Sequence, residues 1–156
     1  MTSDFTKSKQ WNLLIIPDPQ ALPGKNIYDL TIHLLKVINI KYVLLADVEG
    51  AGPFHLLNES EPVLKIQKFL DVVQLVKQFD WGDFFLFNDY PENWKEDLKK
   101  LDYPEIVSLT ETTIRAIDDT YIYIYTPYNE VVRTIRQNYT IESIKNGELR
   151  DLDYPY

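Results

Sequence analysis

The sequence predicts an α/β or α+β protein built on a single mixed sheet, and three observations carry that expectation. Short apolar runs rich in β-branched and aromatic residues alternate with stretches of helical periodicity. "TTIRAI" and "TYIYIYT" flank Asp118-Asp119, the two-residue spacing of a tight hairpin turn. The 156 residues, 45% hydrophobic and 13% aromatic, suffice for one core, and no composition break divides them. The expected organisation is a flexible arm at 1–10, one globular domain at 11–150 and a tail at 151–156. Within the domain, an N-terminal βαβ unit and a C-terminal β-hairpin share the sheet, with about four helices packed on it.

Each element has its own local warrant. Trp11 to Ile16 is an apolar run closed by Pro17-Asp18-Pro19, which reads as a buried strand. Asn26 stands where a helix cap belongs, and Ile27, Leu30, Leu34 and Ile38 then recur on one face, widened by Leu35. Lys41 to Asp47 is the next strand, so residues 11–47 match a βαβ unit with a parallel pair. Residues 54–66 are ambiguous: "FHLL" or "VLKI" reads as a strand, with the breaker Pro62 between them. Phe69 to Phe79 has helical spacing through Leu70, Val73 and Val76, and "DWG" turns into a buried strand from Phe84 to Phe87. A helix over 91–101 presents Trp94, Leu98 and Leu101. In the second hairpin strand Tyr121, Tyr123 and Tyr125 share one face, and Ile122 and Ile124 share the other. Thr126-Pro127 opens a last helix with Tyr128, Val131, Val132, Ile135 and Tyr139 inward, and "KNGE" reads as a turn.

Charge narrows the partners. The net charge of −8 lies wholly in residues 79–156, which hold sixteen acids against eight bases, while residues 1–78 balance eight acids with eight lysines. That sign opposes phosphate binding, which needs Lys and Arg to displace counterions, so nucleic acid is not an expected partner. A basic protein or peptide is the complementary one. The absence of Cys excludes disulfides and thiolate chemistry and fits a reducing compartment. "MTSDFTKSKQ" has no apolar h-region, and no run approaches the roughly 20 apolar residues of a membrane span. A cytoplasmic protein without a membrane partner is therefore expected; nothing in the pattern specifies an oligomeric state.

Catalytic chemistry finds thin support. His33 lies mid-helix and His55 follows a loop proline; neither stands in a motif with Ser, and no G-x-S-x-G occurs. "EGAGPF" lacks both G-x-G-x-x-G and a Lys-Ser or Lys-Thr pair, and Pro53 removes a donor N–H, so no nucleotide cofactor is implied. The enzymatic alternative is a Mg- or Mn-dependent hydrolase. Asp18, Asp47 and Asp89 each follow an apolar strand, and parallel neighbouring strands would gather them at one sheet end, with Glu49 and Asp83 as outer ligands. Against it, Asp after a strand is a common turn residue.

One phrase recurs: Asp89-Tyr90-Pro91-Glu92, Asp102-Tyr103-Pro104-Glu105 and the shortened Asp153-Tyr154-Pro155. Asp caps a helix, Pro suits its first turn, and Glu reaches back to the cap. This grammar fits the first copy best, because a longer helical pattern follows it. The second starts one turn at most, and the third has nothing left to cap. Acids beside tyrosines that capping does not explain point to recognition, since Tyr gives rigid contact area at low entropic cost. The candidate partner-binding residues are Asp83, Asp89, Tyr90, Glu92, Asp97, Asp102, Tyr103, Glu105, Asp118 and Asp119.

In its size, its lack of Cys and its acidic, aromatic second half ("DWGDFFLFNDYPENW", "DDTYIYIYTPYNE"), the chain resembles bacterial immunity proteins, small acidic cytosolic antidotes of toxin domains. The resemblance implies a non-enzymatic protein that occludes a toxin nuclease, carboxylates against its basic rim and aromatics in its cleft. A nucleic-acid mimic is a further alternative, with its charge row diluted by the eight bases.

Overall fold

The computed structural model describes residues 10–18, 20, 22–52 and 61–155. In chain order the elements are β1 (Trp11–Pro17), α1 (Gly24–Leu35), β2 (Tyr42–Ala51), β3 (Val63–Lys65), α2 (Ile66–Val73) and β4 (Gln78–Phe87). They continue with α3 (Trp94–Lys100), α4 (Tyr103–Leu109), β5 (Thr112–Ile117), β6 (Tyr121–Thr126), α5 (Asn129–Asn138) and β7 (Ser143–Gly147), before a 3-10 turn at Leu149–Asp151. All seven strands join one sheet in the order β3-β2-β4-β5-β6-β1-β7, and every neighbouring pair is antiparallel. The class is α+β.

The expected parallel pair does not form. Successive antiparallel steps leave β1 and β2 pointing the same way, but β4, β5 and β6 lie between them. The neighbours of β1 come instead from the far end of the chain: Ile16 pairs with Ile122 and Leu14 with Ile124 on one side, and Leu13 with Lys145 on the other. A strand–helix–strand order specifies direction but not adjacency.

Period-two alternation gives the sheet two buried faces. Leu14, Ile16, Val43, Leu45, Phe84, Leu86, Ile114, Ile122 and Ile124 form a core with Ile27, Leu30 and Leu34 of α1, Phe69 and Val73 of α2, and Val131 and Ile135 of α5. Gly24 permits this packing: a Cβ there would stand 1.9 Å from the Val73 carbonyl oxygen where α1 meets the end of α2. On the opposite face Trp11, Leu13, Ile15, Leu44, Phe85, Phe87 and Tyr125 meet Ile106 and Val107 of α4 and Leu152. Trp94 and Leu98 of α3 pack at the margin of this second core. With each face covered by apolar side chains, helices flank the sheet on both sides.

Several boundaries move. α1 starts at Gly24, so Asn26 is inside it rather than its cap, and α2 ends at Val73, leaving Phe79 to β4. "DWG" is part of β4, and "KNG" belongs to β7 rather than to a turn. "VLK" is the short edge strand β3, and "FHLL" lies outside the described residues, as does the arm except for Gln10. The predicted tail is also structured over 151–155. Leu152 is buried, the Tyr154 ring stacks on Tyr125 at 5.0 Å and 9°, and the Tyr125 hydroxyl donates to the Asp153 carbonyl at 2.6 Å. No helix among the described residues is long and apolar enough to cross a membrane.

Candidate functional site

The ten candidate residues are scattered over the two ends of the sheet, its interior and the helices α3 and α4. Asp83 and Tyr103 turn inward. Asp83 is 1% exposed at the centre of β4, where Arg115 Nε donates to it at 2.6 Å and the Tyr103 hydroxyl at 3.0 Å. Burial raises the Asp83 pKa against the lowering effect of Arg115. The Tyr103 pKa is raised well above its usual value, by burial first and then by the Asp83 charge. Neither residue offers a free group to a partner.

Asp102 and Glu105 are engaged locally. They form a reciprocal capping box at the start of α4, with both hydrogen bonds 2.9 Å long. Arg150 Nη1 also donates to Asp102 at 3.0 Å. The expectation for the repeated phrase is thus inverted. The first copy, 89–92, caps nothing, because α3 starts only at Trp94, after Asn93, whose side chain makes no capping bond. In the third, Tyr154 covers Tyr125, stands 5.5 Å from Tyr103 and donates its hydroxyl to the Leu149 carbonyl, while Asp153 pairs with Lys145. Tyr103, Tyr154 and Tyr90 all pack against the second core, but Tyr103 and Tyr154 contact each other while the ring contact of Tyr90 is with Tyr42.

Asp118 and Asp119 form the β5–β6 turn, both at φ 50°, with Thr120 N–H donating to the Ile117 carbonyl at 3.0 Å. The turn lies at the end of the sheet opposite residues 88–93, about 20 Å away along β4 at the usual rise per residue. A single small footprint does not cover both. Asp97 is half-buried on α3 and takes no part in the groove described next.

Asp89, Tyr90 and Glu92 are the candidates that remain at the surface together. Tyr90 and Glu92 line an open groove of about 660 Å³ with Glu61, Asn93, Trp94, Lys95 and Glu96. Tyr90 is fixed by an edge-on contact with Tyr42 at 5.4 Å and by donating its hydroxyl to Glu61. That hydrogen bond, then burial and the Glu61 charge, raise its pKa. Three carboxylates here face one ammonium: Lys95 lies 5.5 Å from the Trp94 ring centre, and Glu96 is already paired with Lys100 at 3.0 Å. Sequence reasoning missed Glu61, which lies within the ambiguous segment 54–66, and read Trp94 only as core.

The hydrolase constellation does not assemble. Asp18 follows β1, whereas Asp47 lies inside β2, at the irregularity between Ala46 and Glu49, rather than at a strand end. The two strands run the same way with three strands between them, about 19 Å at the usual strand spacing. Asp89 follows β4, which runs the other way, so it lies at the opposite sheet end. Asp18 is moreover a loop anchor: it accepts from Gln20 N–H at 3.0 Å and from Asn26 Nδ2 at 2.7 Å. Asp83, assigned as an outer ligand with Glu49, is committed to Arg115. Among the described residues no group of three or more His, Asp or Glu could hold a metal ion.

Sheet, helices and groove define a class: an α+β protein, covered on both faces, with an acidic, aromatic groove at one sheet end. Comparison with family models, curated proteins and solved structures found no match to this chain.

Proposed function

We propose that this is a non-enzymatic binding protein that engages a basic protein through the groove between Tyr90 and α3. The observation that carries the reading is that groove's lining, in which Glu61, Glu92 and Glu96 surround Tyr90 and Trp94. An Arg or Lys of the partner enters it, with its charge matched by the carboxylates and its stem lying on the rings. Exposed carboxylates outside the groove, such as Asp89, act at longer range by speeding encounter. In the immunity form of the proposal the partner is the nuclease domain of a toxin, and binding blocks its basic active-site rim.

The test begins with capture of partners on the immobilised protein and their identification, followed by kinetics. Trp94→Ala should accelerate dissociation about tenfold or more, the scale of an aromatic hot spot. Glu92→Gln with Glu96→Gln should mainly slow association, and added salt should do the same. An acidic partner, or binding indifferent to all three changes, would overturn the proposal. The immunity form further expects that the protein protects cells expressing the partner's nuclease.

A further inference from the structure

A second cleft, also of about 660 Å³, opens on the other side of the sheet, between α1, the end of α5 and the ends of β1 and β6. Its volume is in the range of small-molecule sites. The floor is apolar, made by the paired residues Ile16 and Ile122. One wall is aromatic: His33 and Tyr139 meet edge-to-face at 5.7 Å. The end wall holds Asp18, which is 6% exposed. The donors to Asp18 are a backbone N–H and an amide, both neutral, and no described cation pairs with it. Burying a carboxylate without a counter-charge is costly. Asp29 stands on the rim, and its charge reaches Tyr139, whose pKa is pushed up to about 12 by burial first and by Asp29 second. Lys36 is the single ammonium in the lining.

We infer that this cleft is a binding site for a small organic cation, an amine or amidine on a compact apolar body. The body lies on Ile16 and Ile122 against the Tyr139 ring, and the charged head faces Asp18 and Asp29. Aromatic faces and carboxylates together favour a cation over a neutral or anionic ligand of the same shape. The site is independent of the groove at Tyr90, which lies on other elements.

Benzylamine, benzyl alcohol and benzoate share one body and differ in the charge of the head. Each is titrated into the full chain and followed by backbone amide NMR shifts. Benzylamine should give saturable shifts in α1, at the end of β1 and around Tyr139, with the other two at least about tenfold weaker, the scale of a charge-assisted hydrogen bond. Asp29→Asn should weaken benzylamine by a similar factor. Asp29 is exposed, so this variant keeps the fold, whereas Asp18 anchors the loop before α1 and its replacement is a poorer probe. Equal binding of the three probes, preference for benzoate at Lys36, no saturable shift with any of them, or unchanged binding by Asp29→Asn would each overturn the inference.

Discussion

Arg115 carries its charge inside the sheet because every side of it is occupied. Nε and Nη2 donate to the two oxygens of Asp83 at 2.6 and 3.4 Å, and Nη1 donates to the Pro155 carbonyl at 2.7 Å. The Tyr103 ring lies 3.7 Å from the guanidinium carbon and the Trp81 ring 5.0 Å. Such a pair adds little over an apolar core, but removing one partner strands the other charge. Arg115→Met should therefore lower stability by about 3–5 kcal/mol near neutral pH. Because burial already raises the Asp83 pKa, the deficit should shrink on acidification, as the stranded carboxyl takes up a proton. Adding Asp83→Asn should recover part of the loss. Urea unfolding of the wild type and these two variants at two pH values checks this; a loss that is equal at both pH values would contradict it.

At the scale of elements, the repeated phrase shows how one local grammar serves different ends. Asp102 closes a capping box, Asp89 sits in the turn after β4 without capping a helix, and Asp153 helps fix the C-terminal segment. Asp102→Ala should cost about 1 kcal/mol, and Asp89→Ala less than about 0.5 kcal/mol, as measured by denaturant midpoints. Comparable losses at the two positions would mean that the capping box contributes nothing particular. The sequence assigned the cap to the first copy because a longer helical pattern follows it. What decides instead is where the chain turns after β4: residues 90–93 precede the helix, which begins four residues too late for Asp89. The hairpin was fully legible, because its two β-runs and its Asp-Asp turn are local. Its Asp pair takes the positive φ that such turns require, a conformation in which Asp is better tolerated than most residues.

At the scale of the molecule, the second core is unusually rich in phenols. Tyr103, Tyr125 and Tyr154 meet there in contacts of 5.0–6.1 Å, and each has its pKa raised, with burial the largest cause. A raised folded pKa means that the folded state holds the proton more tightly. The resulting stability is complete below the unfolded value of about 10 and is lost as pH rises toward the folded values. Stability should consequently fall from about pH 10 upward, and these rings should ionise only as the fold opens. Tyrosinate absorbance followed beside circular dichroism checks it; full ionisation of a still-folded protein would contradict it.

The sequence by itself determined a single sheet flanked by helices, α/β or α+β, together with the hairpin, the helical stripe of α1 and the two faces of β6. These follow from periodicities of 2 and 3.6, which are properties of neighbouring residues. It also placed the excess negative charge in the second half of the chain. Tertiary structure alone decided which strands adjoin, which carboxylates are spent, and which side chains share a cleft. Asp83 finds Arg115 across 32 positions, and Arg115 finds Pro155 across 40. No local pattern encodes such partners, because they depend on strand order. The same holds for Asp18, Asp29, His33 and Tyr139: read separately along the chain, they become the walls of one cleft only when α1 and α5 pack on the same face of the sheet.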